Sequence, residues 1–251
     1  MTQMEIPMPV QIEDPHGNIV TDMTSWANIF DSPRERRHWK PGRSAHSLAD
    51  YVIQHRGLNR INERVGQLIG QSVTFSRAIV EHEVRFDEFG KGRMHDLGVY
   101  GNAADGQSVF VGVEAKVDES FNKTIGEAYF DAKCKELSGK STKAPQRIEQ
   151  LMILHFGEID RSMFDLRYQL LYATAGTLAA DADLSILLVV VFRTELYDEL
   201  KGADNHRDYI AFMEKLSATR RCTFNQHGDV HEVEIGGKPL TCSYEHISLG
   251  A

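Results

Sequence analysis

Residues 108–117 read Ser-Val-Phe-Val-Gly-Val-Glu-Ala-Lys-Val, and this stretch decides the fold. Until its glutamate it is apolar on both alternating sides, which is typical of a central strand that helices cover on each face. Residues 184–192, Leu-Ser-Ile-Leu-Leu-Val-Val-Val-Phe, have the same character. Because a helical segment separates the two stretches, we expect them to pair as parallel strands.

The residues before this strand predict a meander. Residues 78–86 alternate between apolar and polar, 95–100 are again strand-like, and 102–107 contain the tight turn Asp105-Gly106. A helix over 58–69 precedes them, with Leu58, Ile61 and Val65 on one face. The order is therefore αβββαβ, which predicts an α/β fold with a mixed central sheet flanked by helices.

Three regions follow from this order. We expect an N-terminal arm and helical elaboration at 1–56, the αβββαβ core at 57–195, and a C-terminal helix and β-hairpin at 196–251 packed on the same domain. Helices are predicted near 146–155, 163–180 and 206–217, and strands near 229–235 and 239–247.

Composition narrows the function classes. The chain has 251 residues, is 41% apolar and 25% charged, and contains no run approaching the ~20 apolar residues of a membrane span. Its three cysteines lack the spacing of a disulfide framework or a zinc site, so a cytoplasmic location fits best. The net charge of −8 disfavours bulk coating of nucleic acid but permits a local basic groove.

Two basic clusters could form such a groove. The first contains Arg34, Arg36, Arg37, Lys40 and Arg43; the second contains Lys133, Lys135, Lys140, Lys143 and Arg147. A solvated charge run is the simpler interpretation of each cluster.

Asp96, Glu114 and Lys116 carry the predicted chemistry. Residues two apart on a strand share a face, so the Glu114 and Lys116 side chains project together, with Cα atoms about 6.6 Å apart. If the hairpin turns near Asp105, facing residue numbers sum to about 210, which places Asp96 opposite Glu114 to within one position. Directly opposed Cβ atoms are ~5 Å apart. Two carboxylates and one lysine therefore converge.

Buried charges need a partner, and a divalent cation would supply one. Paired carboxylates with room for water and phosphate suit Mg²⁺ or Mn²⁺ better than zinc. A cross-strand salt bridge between Lys116 and a carboxylate is the structural alternative. Strand alternation points the neighbouring His95 to the face opposite Asp96, which favours a core role for this histidine.

These motifs and their strand order resemble the PD-(D/E)XK nuclease superfamily. The matching positions are Asp96 in Met94-His-Asp-Leu-Gly-Val and Glu114 to Lys116 in Val113-Glu-Ala-Lys-Val; His95 replaces the usual proline. The resemblance spans residues 57–193 and implies a Mg²⁺ or Mn²⁺ site formed by Asp96, Glu114 and the Ala115 carbonyl. Lys116 would then assist the attacking water.

A further match is Arg167-Tyr-Gln-Leu-Leu-Tyr172, which resembles the Gln-xx-Tyr helix motif of RecB-like members. It implies a supporting role for Gln169, whereas an ordinary amphipathic helix would leave Gln169 solvated. A third acidic group of the site would be Glu63 or Glu83.

The sequence thus predicts a Mg²⁺-dependent nuclease that acts on nucleic acid, with DNA as the expected substrate. The expected phosphate contacts are Arg93, Arg167, Arg37, Lys40 and Arg43. A homodimer would suit duplex cleavage, but no residue specifies an interface. The rival predictions are a non-catalytic binding or assembly module with the same fold and a phosphoesterase that acts on a small substrate.

Overall fold

A single mixed β-sheet carries helices on both faces in the computed structural model, which describes residues 10–30, 39–219, 222–224 and 229–249, the third range by its backbone alone. The strands are β1 (Gln11–Glu13), β2 (Val73–Val84), β3 (Arg93–Ala103), β4 (Ser108–Lys116), β5 (Leu184–Phe192), β6 (Cys222–Phe224), β7 (Val230–Ile235) and β8 (Lys238–Ile247). The helices are α1 (Met23–Ala27), α2 (Ser44–Gln54), α3 (Gly57–Ile69), α4 (Ile125–Leu137), α5 (Ala144–Phe156), α6 (Tyr168–Leu178) and α7 (Glu199–Thr219).

The sheet has the spatial order β1-β2-β3-β4-β5-β8-β7-β6. β2, β3 and β4 form the predicted antiparallel meander, and β5 pairs with β4 in parallel after a crossover through α4, α5 and α6. The predicted α/β class with a mixed central sheet is therefore confirmed. The C-terminal hairpin extends this sheet, because β8 pairs in parallel with the far edge of β5.

β4 separates two apolar cores. Its odd-numbered side chains, from Val109 to Val117, pack with α1, α2 and α3. The core on the opposite face contains residues of α4, α5, α6 and α7 together with alternate residues of β5. Since strand side chains alternate, Glu114 and Lys116 project towards the second group of helices.

α6 begins later than its apolar pattern predicts. A 3₁₀ turn spans Arg161–Asp165, Leu166 is extended, and the α-helix starts only at Tyr168. The extended step pairs with the start of α4: the Ile125 N–H donates to the Leu166 carbonyl at 2.8 Å. The Tyr168 N–H in turn donates to the Lys123 carbonyl at 3.1 Å. These bonds hold the first turns of α4 and α6 side by side.

Strand alternation breaks at one level of the β2–β3 pair. Val80 and Leu97 belong to the core under α1 to α3, whereas His82 and His95 lie two residues away and contact Phe110 on the opposite face. Between them, Glu81 has a φ of 47°. A non-glycine residue in this left-handed region is strained, and it reverses the side of the strand that the following residues occupy. The register places Glu81 level with Asp96, so the break lies beside the predicted site.

No helix among the described residues is long and apolar enough to cross a membrane.

Candidate active site

Glu114 is the centre of a buried charged cluster. Its side chain is 2% exposed, and its Oε1 accepts a hydrogen bond of 2.7 Å from Lys116 Nζ. Arg93 from β3 donates to Oε2, and the Gln169 amide from α6 donates to Oε1. One carboxylate therefore binds two cations and an amide that come from three different elements.

Asp96 lies beside this cluster at the point where β3 and β4 part. The predicted register holds, because Leu97 faces Val113 and Asn102 faces Ser108, and both pairs sum to 210. The backbone pairing of β3 with β4 ends at Leu97. At the next position the Asp96 side chain takes the place of a backbone acceptor, because its Oδ2 accepts the Ala115 N–H at 2.7 Å. Since the N–H and C=O of one residue point to the same side of a strand, the Ala115 carbonyl faces this gap as well.

The two acids respond differently to their surroundings. Burial raises the pKa of Asp96 to about 7, and the nearby Glu114 charge adds to this effect, although Lys116 and Arg93 oppose it. Burial would raise the pKa of Glu114 too, but Arg93 and Lys116 outweigh burial and hold it below its usual value. Glu114 is therefore ionised at neutral pH, and Asp96 can hold a proton.

Lys116 is buried together with its partner. The residue is 6% exposed, and its ammonium lies 5.4 Å from the centre of the Phe121 ring. Phe121 follows β4 and is fully buried. The ring and the Glu114 carboxylate thus fix the position of the lysine, as a group that acts on one defined atom requires.

α6 approaches the sheet closely enough to bring Gln169 to Glu114. At Gly176, an added Cβ would lie 2.5 Å from Arg93 Cβ and 3.0 Å from His95 Nε2, so a larger residue would push the helix away. Gln169 lies seven residues, or two turns, before this glycine and shares its face. This packing brings Gln169 to the site, as the resemblance implied and the amphipathic alternative did not.

Arg93 lies within the charged cluster. It was expected as a phosphate contact, but its guanidinium pairs with Glu114, and the side chain is only 11% exposed. Its buried Nε has no hydrogen-bond partner among the residues that the structure describes. A lone arginine next to a turn gives little signal in the sequence, and only the face reversal at Glu81 and Asp96 directs it to Glu114.

His95 also departs from the prediction. Its ring lies against Gly112, whose added Cβ would be 2.8 Å from the ring, so it occupies the same face as Glu114. Burial and the nearby Arg93 lower the pKa of His95 to about 3. The expected core position is found, but strand alternation gave the wrong face.

The other predicted contacts are engaged elsewhere or exposed. Arg167 Nε donates to Asp208 at 2.7 Å, and Arg43 Nη1 donates to Asp118 at 2.6 Å. Lys40 is exposed, and Arg37 lies outside the described residues, together with Arg34 and Arg36. None of the described members of this group touches Asp96 or Glu114.

Neither candidate for a third acid joins the cluster. Glu63 is exposed on α3, across the sheet from Glu114. Glu83 accepts the Gly92 N–H at 2.8 Å and lies 3.6 Å from Arg85. Within the described part of the chain, no group of three or more His, Cys, Asp or Glu side chains is arranged to hold a metal ion.

A cleft of about 450 Å³ opens beside Arg93 and Gln169. α4, α5 and α6 contribute its walls, which include the aromatic rings of Tyr168 and Tyr172 and the cations Lys123 and Lys135. The cleft therefore reaches the two side chains, Arg93 and Gln169, that donate to Glu114. Its lining also includes Asp131, which pairs with Lys123, while Lys135 and the rings suit an anionic ligand that carries an aromatic group.

The donor set fits a hard divalent cation. Asp96, Glu114 and the Ala115 carbonyl offer oxygen ligands from two strands, and Mg²⁺ characteristically takes one or two carboxylates and fills its remaining positions with water and phosphate. Asp96 Oδ1 accepts no hydrogen bond from the described residues. Glu114 would have to exchange a contact with Arg93, Lys116 or Gln169 for the ion.

One family model matches residues 20–245, and its description is a domain of unknown function, DUF6946. No curated protein and no solved structure matches the chain.

Proposed function

The chain belongs to this DUF6946 family of unknown function, and we propose that it is a Mg²⁺-dependent nuclease that hydrolyses phosphodiester bonds of nucleic acid, with DNA as the first substrate to test. One observation carries the proposal: Asp96, Glu114 and Lys116 meet where β3 and β4 separate, beside a cleft lined by cations and aromatic rings. The motif order that resembles the PD-(D/E)XK superfamily supports the same function. We also propose a cytoplasmic location, where nucleic acid and Mg²⁺ are both available.

Each residue of the cluster has a separate role in the proposed reaction. Asp96, Glu114 and the Ala115 carbonyl would hold the ion, which when bound would lower the pKa of a water molecule and offset the phosphate charge. Lys116 donates to the attacking oxygen or to a phosphate oxygen as negative charge develops there. Gln169 orients Glu114, and Arg93 can move its charge from Glu114 to a substrate phosphate, since it lines the cleft.

A second candidate function, a binding or assembly module, is favoured by the hydrogen bonds that Glu114 already accepts. Both of its oxygens already accept hydrogen bonds from buried donors, as in a structural ion network. A binding or assembly module without catalysis would need nothing more. Such a module would bind no Mg²⁺ at Asp96 and Glu114, whereas the nuclease must.

Metal binding and cleavage test the proposal together. Single- and double-stranded DNA and RNA are incubated with Mg²⁺ or Mn²⁺, and Mg²⁺ binding is followed by calorimetry, for the wild type, Lys116→Ala and Asp96→Asn. Lys215→Ala is the matched control, because Lys215 also forms a partly buried ion pair, with Asp160 at 2.6 Å, and makes no contact with the cluster.

The nuclease proposal predicts metal-dependent cleavage that Lys116→Ala abolishes and Lys215→Ala retains, and weaker Mg²⁺ binding in Asp96→Asn. Mg²⁺ binding without cleavage of any nucleic acid would favour a small phosphoester as the substrate, which the cleft volume also permits. Absence of both binding and cleavage would favour the module.

A further inference from the structure

The Glu114 cluster is buried behind one side of the cleft. Glu114 is 2% exposed and Lys116 is 6% exposed, and both lie behind Arg93 and Gln169 at one side of the cleft. At about 450 Å³, the cleft has the size of a pocket for one small organic molecule. A polymer can therefore reach Glu114 with only a short part of itself.

A duplex does not meet this requirement. Its phosphates lie on the outside of a stiff rod, and a short segment bends only at considerable cost. For a phosphodiester to enter the cleft, its strand must leave the rod, as in enzymes that act on single strands or on unstacked nucleotides. The burial of the cluster thus favours an unpaired strand.

The cleft also provides a stacking surface next to the cluster. The rings of Tyr168 and Tyr172 line it and stack on each other, with centroids 5.5 Å apart and an interplanar angle of 27°. The Tyr172 hydroxyl is held by the Lys91 and Gly92 carbonyls and by Arg147. Tyr168, adjacent to Gln169 in the chain, is then the ring that can receive a base.

The rim beside α4 and α5 supplies cations for the flanking phosphates. Lys135 lines the cleft, and so do Thr142 and Ala144 on either side of Lys143. Both lysines are exposed, and neither forms an ion pair within the described residues. Lys123, in contrast, is paired with Asp131. Lys135 and Lys143 therefore remain available to a polyanion.

We propose that the cleft binds an unpaired strand of nucleic acid, with one base stacked on Tyr168 and neighbouring phosphates on Lys135 and Lys143. This substrate class rests on the nuclease function proposed above, and it names which form of nucleic acid that site accepts.

Binding is measured first, in EDTA, so that it does not depend on metal or turnover. A fluorescein-labelled 20-nucleotide single strand is titrated at several salt concentrations and followed by anisotropy. Tyr168→Phe should bind within about twofold of the wild type, because the ring remains, and Tyr168→Leu should bind roughly tenfold more weakly. The double variant Lys135→Ala/Lys143→Ala should lower the slope of log Kd against log salt by about 1.4.

Arg56→Ala/Arg60→Ala is the matched control, because it also removes two exposed charges but at the start of α3, across the sheet. It should leave the salt slope and the dissociation constant unchanged. Equal losses in both double variants, or full binding by Tyr168→Leu, would overturn the inference. Thermal melting of each variant shows whether a loss of binding reflects a loss of folding.

Cleavage then separates the inference from the function. The single strand is compared with a dumbbell duplex of the same sequence whose two ends are closed by short loops, in Mg²⁺ or Mn²⁺. Cutting of the single strand and of the loops, with an intact paired stem, supports the inference. Cutting of the stem as fast as the single strand overturns it and leaves the nuclease function standing. If nothing is cut, the nuclease function fails, and tight strand binding that depends on Tyr168 still supports the cleft as a single-strand site.

Discussion

Two arginine–carboxylate pairs lie close together in this protein, and they are built differently. Arg147 and Asp87 form a closed pair: Nε and Nη2 donate to the two carboxylate oxygens at 2.7 and 2.5 Å, and Nη1 donates to the Tyr172 hydroxyl at 2.9 Å. Arg93 and Glu114 form an open one. Glu114 accepts from a second cation as well, and Arg93 Nε has no hydrogen-bond partner in the described part of the chain.

Under the proposed function, the difference separates a structural ion pair from a catalytic one. Both arginine side chains are 11% exposed, so burial alone does not distinguish the pairs. The Asp87 pair satisfies its donors and, through Tyr172, ties α6 to the carbonyls of Lys91 and Gly92. The Glu114 cluster keeps an orphan donor and a second acid with a raised pKa, features that cost stability and concentrate at functional sites.

The largest expected effect concerns Lys116. Lys116→Ala should lower kcat for cleavage by ~10³-fold, because it removes a cation that Glu114 and Phe121 hold in place to meet the developing charge. Asp87→Ala, in the closed pair, should retain activity within about tenfold. Equal losses in the two variants would erase the functional distinction between the pairs.

Stability should distinguish the pairs next. Glu114→Ala leaves Arg93 and Lys116 buried without their carboxylate, and we expect it to lower the free energy of unfolding by about 3 kcal/mol. Asp87→Ala leaves one cation, Arg147, without its carboxylate, but Arg147 keeps its hydrogen bond to Tyr172. We therefore expect this variant to lower the free energy of unfolding by about 1 to 2 kcal/mol. Urea denaturation of both variants in EDTA measures the two values. A larger loss of unfolding free energy in Asp87→Ala than in Glu114→Ala would show that the closed pair stabilises the fold more than the Glu114 cluster does.

The pH dependence of stability tests the raised pKa of Asp96. Because this pKa is about 7 in the folded protein and 3.8 in the reference state, the folded state binds more protons between these values. The free energy of unfolding should therefore fall as pH rises from about 4 to 7. Asp96→Asn should remove this pH dependence. Between pH 4 and 8, its free energy of unfolding should rise relative to that of the wild type by on the order of 2 kcal/mol.

Glu114 contributes the opposite slope, since its lowered pKa stabilises the fold above about pH 4.5 and that stability is lost on acidification. Denaturation curves in EDTA at pH 4, 6 and 8 give the comparison. An unchanged pH profile in Asp96→Asn would contradict the raised pKa.

A smaller effect is expected at Gln169. Gln169→Ala removes a donor that orients Glu114, so kcat should fall about tenfold while KM changes little. Gln150→Ala, on neighbouring α5, is the control for loss of an amide outside the cluster. If KM rises and kcat holds, Gln169 contacts substrate and does not position Glu114.

The smallest effect is expected at Arg167. Its pair with Asp208 leaves both side chains about a quarter exposed, so Arg167→Ala should cost roughly 0.5 to 1 kcal/mol of stability. It should not change the salt dependence of strand binding. A lower salt slope in the anisotropy titration would restore Arg167 as the phosphate contact that the sequence predicted.

The sequence by itself determined six strands, β2 to β5, β7 and β8, their order along the chain and the register of the β3–β4 hairpin, but it did not predict β6. Continuous apolar runs mark β4 and β5 because strands buried on both faces need apolar residues throughout. The turn at Asp105-Gly106 fixes the hairpin register, so the sequence placed Asp96 level with Glu114 to within one position, and the β3–β4 pairing has that register. Local patterns suffice for these features, because period and turn chemistry act between neighbours in the chain.

Only the tertiary structure decided how the charges pair. Glu81 adopts a left-handed conformation that reverses the side-chain faces next to Asp96, and no residue type in the sequence signals that change. The reversal moves Arg93 and His95 to the face of Glu114, and Gly176 lets α6 deliver Gln169 there. The cleft walls likewise come from helices that are far apart in the chain. Such contacts depend on long-range packing, which a one-dimensional pattern does not encode.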